Sequence, residues 1–401
     1  MLKLDAHLSP DPGYTRSTKN PRIKLISVVS AVFVFANLVL PADYIAFGQK
    51  RTPSSARINN IAAAARIPYG SISTALTIDG KAVKVLAYKA DDTLMVQMVP
   101  VARAMGYTVD YNAGTGDLTL SKPRREIKMV IHYSLYKLNG LTSTAKTPTI
   151  RSGSTYMPLR QLANLSGYNI VQQGRDAYKL TAPHENEVTI SASGELSVDT
   201  EPYSFSFHYP VLSGYANKEA MDKINLFLKE TAEEWKIKAE QELSQSWADH
   251  PGKDQIIDYA HMSPYGFQAQ WKVAYNQEGL LSLYADTYQY MGGHSEPDRL
   301  LRHSWTFNLA TGAALTLSEA AGNQPDYALK INQYVNLKIA SGEVNTAPPQ
   351  HFRGIESADT GWYVKDGKIM VYIQPDPADF LDNEILEISV PLQRIVGVPN
   401  L

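Results

Sequence analysis

From about residue 71 to 198 the chain is written in short alternations of apolar and polar residues broken by Gly, Asn and Asp, the pattern of strands and tight turns. Ser71 to Ile78, a turn at Asp79-Gly80 and Lys81 to Tyr88 open it. Glu187 to Ala192 and Glu195 to Val198 predict a further hairpin across Ser193-Gly194. Tyr203 to Tyr209 then sets Tyr203, Phe205, Phe207 and Tyr209 on one face of a strand. Asn217 offers an N-cap, with Glu219 in the first turn, to a helix that reaches about Trp247 and carries the stripe Ala220, Ile224, Phe227, Leu228, Thr231 and Trp235. Its charged side, from Lys229 to Lys238, reads as a solvated face. Phe267, Ala269, Trp271, Val273 and Tyr275 alternate with Gln268, Gln270, Lys272 and Ala274, predicting one buried and one wetter face. Leu280 to Tyr290 and Ser304 to Leu309 extend an antiparallel sheet, and Asp326 to Ile339 supplies a second helix. Lys365-Asp366-Gly367 is a turn joining Trp362–Val364 to Lys368–Ile373, and Ile385 to Val390 is the last strand. Helices laid on antiparallel sheets make the expected fold class α+β.

Within the first alternating region lies an internal repeat. Met95 to Val109 and Tyr156 to Ile170 align without gaps at an offset of 61, sharing Ala102 with Ala163, Gly106 with Gly167 and Tyr107 with Tyr168. Each copy reads as strand end, helix of about two turns, glycine stop and strand, because glycine takes the positive φ that ends a helix. Asn112 to Gly116 and Gln172 to Arg175 supply the turns that follow.

Leu25 to Leu40 is an uncharged run preceded by Arg16, Lys19, Arg22 and Lys24, the order of an export signal. Sixteen residues are short for a spanning helix, yet Pro41 to Phe47 extend the run, and Ala46 and Gly48 suit a peptidase. Both a secreted and an anchored form stay open. The expected layout is a basic lead (1–24), a signal or membrane anchor (25–48), a tether (49–70), a module holding the repeat (71–183) and an α+β binding domain (184–401).

The 38 basic and 40 acidic groups leave a net charge of −2, which argues against a chain whose main business is gripping nucleic acid. Cysteine is absent, which removes thiol nucleophiles, disulfides, iron–sulfur clusters and cysteine-based zinc sites. The nine histidines are scattered, and no His-Glu-x-x-His, Gly-x-Ser-x-Gly or Walker sequence occurs. Asp91-Asp92 lacks the His-x-x-x-His partner of a metal-dependent deacetylase. Asp376, Asp379, Asp382 and Glu384 stand in a proline-broken loop, a poor platform for paired catalytic carboxyls. No cofactor, no metal and no catalytic residue is expected.

Tyr156-Met157-Pro158-Leu159-Arg160 with Gly167-Tyr168 resembles the copper amine oxidase N-terminal-like domain over about 71–183. The first copy departs from that motif at Gln97 and Val99. The resemblance implies a stalk or interaction module of an exported Gram-positive protein and no redox chemistry. Arg160 reads first as an ion-pair or helix-end residue. Tyr203 to Leu212, Tyr290-Met291-Gly292-Gly293-His294, Trp305 to Gly312, Trp362-Tyr363-Val364 and Ile388 to Pro391 resemble, in that order, the paired domains of unknown function in lysozyme-sensing anti-sigma factors. The same pair precedes the catalytic domain of some peptidoglycan deacetylases. The chain departs where Gly293 meets His294 directly and at the late segment around Asp379 and Phe380.

These readings together predict a non-enzymatic envelope binding or scaffold protein, located outside the cytoplasm. Its expected partner is a cell-wall polymer or an extracellular protein such as lysozyme, with the membrane held through Leu25–Leu40 if that segment is uncut. A membrane-anchored extracytoplasmic sensor or regulator is the alternative, with a peptidoglycan-modifying enzyme ranked after it. The candidate partner-binding residues are Tyr290, Gly292, Gly293, His294, Asp379 and Phe380.

Overall fold

Glycine decides where each short helix of the first half stops. Gly106 (φ 84°) and Gly167 (φ 76°) adopt left-handed backbone, and after each the chain turns into a strand. The computed structural model describes residues 72–90, 92–174, 176–182, 184–253, 265–293, 297–344, 352–375 and 384–396, all within the compact unit Asn59–Leu401. The expected signal and tether lie outside the described residues. Among those described, no helix is long and apolar enough to cross a membrane.

The first half runs β1 (Ile72–Ser73), β2 (Ala75–Ile78), β3 (Lys81–Val83), β4 (Leu86–Ala90), β5 (Thr93–Gln97), α1 (Met98–Ala104), β6 (Thr108–Tyr111), β7 (Asp117–Lys122) and β8 (Arg125–Val130). It continues with β9 (Leu135–Leu138), β10 (Leu141–Thr144), β11 (Thr149–Arg151), β12 (Ser154–Pro158), α2 (Leu159–Ser166), β13 (Asn169–Gly174) and β14 (Ala177–Thr181). Three sheets result, in the orders β1-β4-β5-β12-β11, β10-β9-β8-β7-β6 and β13-β14-β2-β3, and only β14 and β2 pair in parallel.

The repeat governs the first of these sheets. Its two copies pair with each other, Met95 opposite Pro158, Val96 opposite Met157 and Gln97 opposite Tyr156. Shifting the first pair by 61 residues converts it into the third, so a pseudo-two-fold axis passes at Val96 and Met157. The flanking hairpins obey the same shift: Tyr88 opposite Met95 and Ala90 opposite Thr93 become Thr149 opposite Tyr156 and Arg151 opposite Ser154. The repeat is therefore longer in structure than in recognisable sequence. Val96, Met98, Val101, Leu159, Leu162 and Ala163 from both copies meet in one core with Leu118, Leu120 and Ile127.

The second half contains β15 (Thr189–Ala192), β16 (Leu196–Val198), β17 (Phe205–Phe207), β18 (Pro210–Ser213), α3 (Lys218–Ala248), β19 (Tyr265–Gln277), β20 (Leu280–Met291) and β21 (Arg299–Asn308). Then come α4 (Leu317–Ala320), α5 (Tyr327–Ala340), β22 (Thr360–Lys365), β23 (Lys368–Ile373), β24 (Leu386–Pro391) and α6 (Leu392–Val396), the last not expected from sequence. The Asn217 side chain accepts from Ala220 N at 3.1 Å, the expected N-cap of α3.

The hairpin expected across Ser193-Gly194 does not form. β15 pairs with β18 and β16 with β17, so the two segments are consecutive parts of one arm of a longer ribbon. Ser193 is the joint, donating its N–H to Tyr209 O (2.8 Å) and accepting from Tyr209 N on Oγ (3.2 Å). Phe205 and Phe207 are buried with Val198, Ala232 and Phe267, and that aromatic burial outweighs a local Ser-Gly turn.

A cross-link ties the halves of the chain. Arg125 donates to Leu165 O (3.0 Å) and pairs with Glu185, while Asn139 donates to Ile190 O (2.7 Å) and its carbonyl accepts from Ala192 N (2.9 Å). Leu141 enters the core formed by Ile190, Leu212, Ile224 and Trp271.

The two helix-stopping glycines should respond differently to a methyl group. A Cβ on Gly106 meets nothing within 4 Å, whereas on Gly167 it lies 2.8 Å from Arg125 Nη2 and from Glu185 Oε1. Gly106→Ala is expected to cost about 1 to 2 kcal/mol of left-handed strain. Gly167→Ala should cost more and, unlike the first, lose part of its effect when Glu185 is first changed to Ala; urea melts of the single and double variants read both.

Candidate functional site

The alternation in β19 to β21 gives one sheet two unlike faces. Toward α3 stand Trp271, Leu283, Ala285 and Phe307. Trp235 of α3 stacks on Trp271 (5.1 Å between centroids), which stacks in turn on Trp305 (5.5 Å). His303 sits 4.7 Å from the Trp235 ring, and burial, aided by the Lys238 charge, lowers its pKa to about 4.

The opposite face is built in rungs, each read directly from strand register: Tyr275–Ser282–Thr306, Lys272–Tyr284–Ser304, Gln270–Asp286–Arg302, Gln268–Tyr288–Leu300 and Gly266–Tyr290. The sequence predicts this face to be the wetter one, and the structure corrects that. Gln270, Ser282, Asp286, Arg302 and Thr306 are all buried. The cover is the sheet β22-β23-β24, whose own far side packs on α5 and α6 through Ile331, Val335, Ile369, Val371 and Ile395.

Arg302 organises the seam between the two sheets. Its Nε and Nη2 donate to Asp286 Oδ1 (2.5 Å) and Oδ2 (2.8 Å), a bidentate fork, and its Nη1 donates to Glu387 of β24. The guanidinium lies 4.2 Å over the Tyr284 ring, and Tyr363 OH donates to the same Glu387 oxygen at 2.7 Å. Burial opposes the charge on Arg302, but the Asp286 bonds outweigh it and hold the group above its ordinary pKa. Burial also lowers Lys272, whose Nζ stands 3.8 Å from Asp286, and raises the hydroxyls of Tyr284 and Tyr363. Gln374, just past β23, accepts from Arg302 N (2.9 Å) and donates to Arg302 O (2.6 Å), imitating a strand partner. Val364 N donates to Ser282 Oγ (3.1 Å), Ser304 Oγ to Trp362 O (2.5 Å) and Tyr372 OH to Arg302 O (3.2 Å). Both carboxylates are thus committed to one guanidinium, an arrangement suited to fixing geometry.

Two rungs continue past the Arg302 rung, with Gln268 exposed and Tyr288, Leu300 and Tyr290 half-buried. Tyr290, a sequence candidate, is on the last rung, and burial with Tyr288 and Asp298 nearby pushes its hydroxyl up to about 12. Gly292 (φ 76°) is buried, and the group that approaches it closely is the chain's own Tyr265: a Cβ there would fall 2.1 Å from Tyr265 Cζ. Gly293 is exposed. His294, Asp379 and Phe380 lie outside the described residues. Gln374 brings the start of the late segment beside Arg302, one rung from Tyr288. Sequence reasoning missed Asp286, Arg302, Glu387, Tyr288, Gln268 and Gln270. The available signal was Tyr284-x-Asp286-x-Tyr288-x-Tyr290, a polar aromatic row at strand spacing in β20.

Two family models match segments of this chain. The copper amine oxidase N-terminal domain matches residues 77–177, and deacetylase PdaC matches residues 196–294, within the two stretches whose motifs resemble those families. Among solved structures, a DUF3298 family member from Bacteroides fragilis is similar at 14% identity and TM-score 0.35, covering 52% of this chain and 92% of its own. A DUF3298 family protein from Pseudomonas aeruginosa is similar at 12% identity and TM-score 0.30, with the same coverages. No curated protein matches.

Arg302→Met removes the partner of a carboxylate that is 4% exposed, and the expected loss is about 3 to 5 kcal/mol in chemical denaturation. The double variant Arg302→Met with Asp286→Leu should recover much of it. The His303 pKa is depressed in the folded state, so the unfolded chain binds the extra proton. Stability is full above about pH 6.5 and falls toward pH 4, by on the order of 2 kcal/mol. His303→Phe should flatten that part of the melting-temperature profile.

Proposed function

We propose that this is an exported, non-enzymatic envelope protein whose two rungs of β19 to β21 beyond Arg302, with Gln268, Tyr288 and Tyr290, bind a cell-wall glycan. The observation that carries the reading is the change of character along one sheet face. Three rungs are sealed under β22 to β24, and two continue as tyrosine rings beside a glutamine amide. Tyrosine offers a flat apolar face and a polar tip at little conformational cost, and an amide supplies paired donor and acceptor, the combination a neutral sugar needs. Export is supported by the apolar run Leu25 to Leu40 behind four basic residues. The match of residues 196–294 to a model named for a deacetylase agrees with an envelope setting. Binding without catalysis is supported by the commitment of Asp286 and Glu387 to Arg302, which uses both carboxylates to hold the seam.

The test is co-sedimentation of the full chain with insoluble peptidoglycan, run beside capture on immobilised lysozyme. Tyr288→Ala is expected to weaken peptidoglycan binding roughly tenfold, as the loss of one ring contact would. Gln268→Ala, at an exposed position, should weaken it without moving the melting temperature. Peptidoglycan binding indifferent to both changes, capture by lysozyme alone, or release of acetate or sugar fragments would overturn the reading.

A further inference from the structure

The net charge of −2 hides segments of opposite sign. Residues 72–182 hold fourteen Lys and Arg against seven Asp and Glu, whereas residues 184–401 hold fifteen against thirty. From Ile127 to Arg175 there is no acidic residue at all. The overall sum does not describe the field that a partner meets, because electrostatic attraction is set locally and is screened beyond about 8 to 10 Å.

The fold exposes several of these cations on the outside of the first half. Lys128 and Lys137 are directly opposed on β8 and β9, both exposed, on the side of the sheet away from Ile127 and Met129. Like charges facing each other across strands destabilise a sheet unless an anion lies between them. Glu126 pairs with Lys128 at 2.9 Å, and Lys137 has no described carboxylate in ion-pair range. Arg124 is exposed in the turn before β8, Arg160 on the outer side of α2 and Lys179 on the outer face of β14, and the exposed Lys146 donates its Nζ to the Thr93 hydroxyl (3.1 Å).

We infer that residues 72–182 are a docking surface for a linear phosphodiester polymer that lacks bases, of the poly(polyol phosphate) kind. Three arguments select this occupant. The surplus of positive charge calls for a polyanion. The cations lie on two different sheets and a helix, so a flexible chain can reach several of them where a flat membrane reaches one side. Exposed aromatic platforms, on which nucleobases would stack, are confined among the described residues of this half to Tyr133. The acidic half repels the same polymer, which leaves the glycan-binding face proposed above pointing at other material. The inference stands whether or not that face binds glycan.

The experiment is titration of the full chain with synthetic poly(glycerol phosphate), with three comparison ligands: vesicles containing phosphatidylglycerol, single-stranded DNA of equal charge, and neutral glycan. With four phosphates neutralised, affinity should fall about 50-fold between about 50 and 200 mM salt. Lys128→Glu with Lys137→Glu should weaken binding at least tenfold at low salt, and Lys128→Gln with Lys137→Gln by a smaller factor, both with unchanged melting temperature. Replacing Arg16, Lys19, Arg22 and Lys24 by Gln, or Tyr288 by Ala, should leave polymer binding as it was. Equal binding by the charge-reversed protein, loss of binding with the basic lead, tighter binding of DNA, or binding of vesicles with the same Lys128 and Lys137 dependence would each overturn the inference.

Discussion

A single guanidinium fixes the register at which the two sheets of the second half meet. Arg302 lies on the middle rung of β19 to β21, and its three nitrogens reach Asp286 in its own sheet and Glu387 in the next. An ion pair removed from water gains little net free energy, because desolvating the charges offsets most of their attraction. Its effect is selective instead. Two sheets meeting through apolar faces can slide by a residue pair with small loss, whereas a bidentate fork, a second carboxylate and the Gln374 amide fit at one register. The seam places the hydrophobic cores on its outer sides, one against α3 and the other against α5 and α6.

Much of this architecture is legible in the amino-acid sequence where a local rule carries it. Asn217 caps α3 because its side chain competes for the first free amides, and Asp366-Gly367 turns β22 into β23 because both residues accept positive φ. The same kind of reading fails where the deciding partner is distant. A period-two pattern shows which residues of β19 share a face but not what lies over that face, so Gln270 and Lys272 look wet until β22 to β24 close over them. Ser193-Gly194 has turn chemistry, yet Phe205 and Phe207, more than ten residues away, draw β16 into another pairing. Of the candidate residues, Tyr290 stands on the last rung of that face, opposite Gly266. The space beside Gly292 is filled by Tyr265 of the same chain.

The charge distribution teaches a related lesson about averages. A balanced sum excluded polyanions only if the charges were mixed, and the 49 residues from Ile127 to Arg175 without a carboxylate show that they are not. The N-terminal half and the C-terminal half differ in sign, in sheet arrangement and in the family model that each matches. The Arg125–Glu185 pair and the Asn139 bond to Ile190 O nevertheless join them through half-buried groups.

The pseudo-two-fold axis at Val96 and Met157 describes a dimer inside one chain. A lone copy of the repeat would leave β5 as a bare edge, and an edge whose register is its own mirror under rotation is self-complementary. Joined in tandem, the two copies meet at an effective concentration set by the linker between them and no longer by how much protein is present. Each copy is then free to drift. Proline and arginine in one motif stand where the other has Gln97 and Val99, and Tyr88 on one side reaches across the axis to Thr149, its own counterpart, at 3.3 Å. Symmetry has become scaffolding, and difference between the halves is what remains for evolution to use.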